Sequence, residues 1–71
     1  MREMETIKPH RFRIGQQVNL AATRFERIVV AGSFEVVARL PTEAGEPQYR
    51  VKHGREAFER RVGEHRLTAA F

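Results

Sequence analysis

The run Phe34-Glu35-Val36-Val37-Ala38-Arg39-Leu40 alternates side chains in a period of two, and Pro41 closes it. Successive side chains of a strand point to opposite faces. Phe34, Val36, Ala38 and Leu40 are therefore expected on one face, with Glu35, Val37 and Arg39 on the other. Across the polar turn Thr42-Glu43-Ala44-Gly45-Glu46-Pro47 the pattern returns in Gln48 to Lys52, with Tyr49 and Val51 opposed to Gln48, Arg50 and Lys52. Two such runs around a Gly/Pro-rich turn predict an antiparallel hairpin. A hairpin has one apolar face that must be buried, and a chain of 71 residues without cysteine offers few ways to do it. One domain fits that length, and a disulfide scaffold, a thiolate zinc site and a thiol nucleophile are excluded. A chain this short buries only about 60% of its unfolded surface, so its core is thin.

The flanking segments extend the same sheet. Phe12, Ile14, Val18 and Leu20 share one parity around Gly15, which predicts a bent strand over residues 12–20. Met1 to Lys8 shows no periodicity and Pro9 bars a helix, so residues 1–10 read as a flexible arm before a single domain at 11–71. Ala21, Phe25, Ile28 and Val29 follow a helical stripe, yet Ile28-Val29-Val30 is a β-branched run that resists a helix. Residues 21–33 therefore read as a long connection whose conformation stays open. His53 to Glu56 reads as a second turn. Ala57 to Val62 fits a strand or a short helix. The helix aligns Phe58, Val62 and His65 and pairs Glu56 with Arg60, but Gly63 ends it after barely two turns, too short to persist alone. The strand is favoured, with Phe58 and Val62 inward, Arg60 between them, and Glu59 and Arg61 in water. A tight or 3-10 turn at Gly63 to Arg66 then leads to a final strand at Leu67 to Phe71.

Five short strands without covering helices predict an all-β fold, a small five-stranded antiparallel barrel with a long first loop and a 3-10 turn before the last strand. Phe34, Val36, Leu40, Tyr49, Val51, Phe58, Val62 and Leu67 would fill it, joined by Val18 and Leu20. The segments FRIGQQVNL, GSFEVVARLP and EPQYRVKHGREAFERRVGEHRL resemble short bacterial proteins of uncharacterised function with an SH3-like small barrel, over roughly residues 12–67. The resemblance implies a fold and supplies no catalytic residue. Arg61 stands where that pattern would place a Val.

The net charge is +4, and the basic residues are mostly Arg, whose planar fork suits phosphates and carboxylates. Residues 1–13 carry +2, residues 14–49 carry −1 and residues 50–71 carry +3. Arg50, Lys52, Arg55, Arg60, Arg61 and Arg66 are thus the candidate nucleic-acid-binding residues, interrupted by Glu56, Glu59 and Glu64. Small barrels bind strands with basic side chains for the backbone and exposed rings for stacking. If Tyr49, Phe34 and Phe58 are core, only Phe12, Phe25 and Phe71 remain as free rings. The bland alternative is a solvated charged face. A second expectation is a protein-interaction or homodimerisation module using Phe25, Ile28, Val29 and Val30. Catalysis is not expected. Ser33 has no neighbouring His, no Asp exists, and Glu56 and Glu59 read as ion-pair partners. No cofactor is expected, and no metal, since His10, His53 and His65 are scattered. Without a long apolar run or a signal-like start, a soluble cytoplasmic protein without membrane contact is expected.

Overall fold

The structure is a computed structural model that describes residues 9–23 and 31–71. Its elements are β1 (Gln17–Leu20), β2 (Phe34–Glu43), β3 (Glu46–Lys52), β4 (Glu59–Gly63), a 3-10 turn (Glu64–Arg66) and β5 (Leu67–Ala69). The strands form one antiparallel sheet in the order β4-β3-β2-β1-β5. The fold is therefore mainly β, with the strand alternative correct for residues 59–62, Gly63 ending the strand instead of opening the turn, and the 3-10 turn at Glu64–Arg66. No ladder joins the edge strands β4 and β5, so the described sheet stays open.

Two irregularities in β2 decide which side chains reach the core. Val36 pairs with Val51 and Ala38 with Arg50, so Val37 is an extra residue against a continuous β3. Such a bulge reverses the parity of everything after it. Phe34 and Val36 are buried, whereas Ala38 and Leu40, expected inward, are only half-buried. Arg39 becomes the partner of Tyr49 instead. The second irregularity lies between Leu40↔Gln48 and Glu43↔Glu46, where Pro41 and Thr42 oppose Pro47. A proline lacks the N–H that a ladder requires, and a bulge is where a sheet tolerates it. Pro41 thus does not end β2, which runs on to a two-residue turn at Ala44-Gly45. Both residues there have positive φ, 52° and 82°, as a type I′ hairpin demands.

The core consists of Phe12, Val18, Phe34, Val36, Tyr49, Val51, Val62 and Leu67, with Leu20 packed against it. Phe12 does not belong to a strand. Residues Ile14-Gly15 form a turn, with Gly15 at φ 94°, which separates Phe12 from β1 and leaves Ile14 exposed instead of inward. The segment nevertheless docks firmly. His10 Nε2 donates to the Leu40 carbonyl at 2.7 Å, and the Phe12 amide donates to the Tyr49 hydroxyl at 3.2 Å. The Arg11 amide donates to Glu64 Oε2 at 2.8 Å. The Tyr49 hydroxyl in turn donates to the same carboxylate oxygen at 2.5 Å. Glu64 is buried, and its hydrogen bonds are what make that burial tolerable. Burial, and then the hydrogen bond to Glu64, push the Tyr49 hydroxyl up to about 12.

Candidate nucleic-acid interface

Arg50 and Lys52 alternate with buried Tyr49 and Val51, so they share the outer face of the sheet. Arg61 joins them as the cross-strand partner of Arg50. Like charges directly opposite repel, and two carboxylates relieve the strain: Glu59 lies 3.5 Å from Arg50 and Glu43 2.9 Å from Arg61. Lys52 is flanked by Glu35 on β2 and Glu59 on β4, and its Nζ donates to the Glu56 carbonyl at 2.7 Å. Three cations therefore face Glu35, Glu43 and Glu59 on one surface, which is close to neutral. These exposed pairs contribute little stability each, but they remove the continuous basic stripe that phosphate binding would use.

The other three predicted basic residues lie elsewhere. Arg60 is the partner of Val51 and so falls on the core side of β4. Its guanidinium forms a two-point pair with Glu56, at 3.0 Å and 2.6 Å. That hydrogen bonding holds the Glu56 carboxyl below the ordinary range against the opposing effect of burial. The Glu56–Arg60 pair expected of a helix thus forms across a turn and a strand. Arg66, in the 3-10 turn, donates from Nε to the Ala21 carbonyl at 3.0 Å. Arg55 sits exposed in the turn between β3 and β4.

That turn is rigidly built. The Glu56 amide donates to the His53 carbonyl, and the Arg55 amide to His53 Nδ1 at 2.9 Å. His53 Nδ1 therefore accepts and Nε2 carries the proton, donating to the Ala31 carbonyl at 2.7 Å. The imidazole is buried edge-on against Phe34, 5.1 Å between centroids. The turn projects Phe58, which is 53% exposed instead of filling the core as expected. The Arg60 guanidinium lies 5.1 Å from its ring centroid, a cation–π arrangement. Parity alone misplaced Phe58 because it lies one residue before β4 begins. Conversely, Phe12 is not a free ring. Phe71 is fully exposed, and Phe25 lies outside the described residues.

The alternative protein-interaction residues Phe25, Ile28, Val29 and Val30 all lie outside the described residues. The Ser33 hydroxyl donates to Gln17 Oε1 at 2.7 Å. His65 and its amide both meet Glu46 Oε2, at 2.5 Å and 2.6 Å. Among the described residues no three His or Glu side chains converge on a metal-sized site, and no pocket opens. No helix there is long and apolar enough to cross a membrane. Comparison of the chain with protein-family models, curated proteins and solved structures finds no match.

Proposed function

We propose that this chain is a small non-catalytic binding module that holds a single nucleic-acid strand, with Phe58 as its stacking surface. The observation that carries the reading is the Phe58 ring, half in water, backed by Arg60 and beside exposed Arg55 in a turn fixed by His53, Glu56 and Lys52. A ring held on a rigid turn gives a base a flat partner at little entropic cost, and stacking on an aromatic side chain is sequence-tolerant. Anisotropy titration of a labelled short single-stranded oligonucleotide at two salt concentrations tests this. Binding is expected at low salt and weakens as salt rises. Phe58→Ala lowers affinity by about 1–3 kcal/mol, the ordinary worth of one stacked base. No binding at low salt, or an unchanged affinity in Phe58→Ala, would overturn the proposal.

The near-neutral outer face favours a second reading for that surface, a protein partner or a second copy of the chain. A mass in solution equal to one chain removes the homodimer version.

A further inference from the structure

The sequence places its charge excess in residues 50–71, but the folded chain does not leave it there. Arg50, Arg60 and Arg61 each meet a carboxylate, one of them from distant Glu43. Arg11, Arg13, Arg39 and Arg55 form no ion pair within the described residues. Three of these four belong to one place. Residues 10–16 run antiparallel beside the middle of β2: His10 bonds to Leu40, while Gly15 and Gln16 bond to Val36. Arg11 and Arg13 flank buried Phe12, whose ring meets Tyr49 edge-on at 5.7 Å. Arg39 is the cross-strand partner of that same Tyr49. All three arginines are exposed around a single buried aromatic pair. Arg11 is further positioned by its guanidinium lying 5.1 Å from the Phe12 ring centroid. Among the described residues the carboxylate that reaches this strip, Glu64, is buried and occupied by the Tyr49 hydroxyl and the Arg11 amide. It cannot swing out to pair with a guanidinium without breaking both bonds.

We infer that the Arg11–Arg13–Arg39 strip, and not the arginine-rich Arg50–Arg66 stretch, contacts the phosphodiester backbone of a bound nucleic-acid strand. The inference rests on the nucleic-acid reading above and locates its electrostatic half. Arg39 and Phe58 lie within reach of one short strand. Arg39 is level with Tyr49 and Val62, and Phe58 lies four residues beyond Val62 and two strands across from β2. With about 3.3 Å per residue and about 4.8 Å per strand, that is roughly 13 Å along the sheet and 10 Å across it.

The test is the salt dependence of binding to the same labelled single-stranded oligonucleotide. Each phosphate contact contributes about 0.7 to the slope of log K against log salt for single strands. The triple variant Arg11→Gln/Arg13→Gln/Arg39→Gln is expected to flatten the slope by about 2. Arg50→Gln/Arg61→Gln leaves it unchanged, and the Arg→Lys version of the strip retains most of it. Should the triple variant melt early, single substitutions decide, each expected to remove about 0.7. A slope that survives loss of the strip, whether or not the outer-face double variant flattens it, overturns the inference and leaves the stacking reading standing. Absence of wild-type binding at low salt overturns both.

Discussion

Tyr49 is the chain's only tyrosine, and its hydroxyl joins three parts of the molecule. It accepts from the Phe12 amide and donates to Glu64, so the docked N-terminal segment, β3 and the 3-10 turn meet at one oxygen. Burial first, and then the loss of the proton donated to Glu64 and the two negative charges that ionisation would set together, raise the group from 10.0 to about 12. A raised folded-state value contributes stability that is complete below the unfolded value and is lost as pH climbs through the folded one. The window is therefore about pH 10 to 12, and the protein is expected to weaken across it. With a single phenol, ultraviolet absorbance reports the site directly. The folded protein should titrate near 12, and the denatured chain near 10. A folded-state midpoint near 10 would show that neither the burial of this hydroxyl nor its bond to Glu64 persists in solution. None of this linkage was visible in the sequence, where Tyr49 read correctly as a core residue and Glu64 only as one of the acids that interrupt the basic stretch. Alternation assigns a face to a side chain, but it is silent on which hydroxyl a distant carboxylate will meet.

At the scale of elements, the hairpin of β2 and β3 was the most legible part of the chain and also the place where parity failed. The period was right for Phe34, Val36, Tyr49 and Val51, and wrong for Ala38 and Leu40, because the extra residue Val37 reverses the count. Nothing in a single alternating run announces a bulge. Pro41 was the available sign of the second irregularity, since a proline inside a central strand calls for a break in the ladder. The turn itself carries a local conflict. Ala44 is held at φ 52°, a left-handed conformation that costs an L-residue with a Cβ about 1–2 kcal/mol. Asparagine adopts that conformation readily and is favoured at the first position of a type I′ turn. Ala44→Asn is accordingly expected to stabilise the fold by about 1 kcal/mol and raise Tm by about 4–8 °C. Gly45→Ala, at φ 82°, should act in the opposite sense. A thermal melt of the two variants decides; if Ala44→Asn melts no higher than the parent, the turn is not of this type.

The whole molecule is held by one thin core to which a non-strand segment contributes a full aromatic side chain. Phe12 and Ile14 share a parity, and neither is among the residues expected to fill the core, Phe12 being counted among the free rings; the turn at Gly15 separates them, burying Phe12 to 3% and leaving Ile14 60% exposed. That difference has a global consequence. A domain of this length has a total stability of roughly 4–11 kcal/mol, and removing a buried phenylalanine side chain costs about 3–5 kcal/mol. Phe12→Ala should therefore forfeit about a quarter or more of the stability, since the loss opens the Tyr49 side of the only core that the described residues build. Ile14→Ala, at an exposed site, should stay within about 0.5 kcal/mol. Denaturant unfolding followed by circular dichroism reads both. The unfolding slope m should not change in either variant, because the surface exposed on unfolding is nearly the same. If Phe12→Ala instead proved as mild as Ile14→Ala, the segment from His10 to Gln16 would be an appendage to the sheet. The three arginines that it helps to assemble would then lack the fixed spacing that phosphate contact requires.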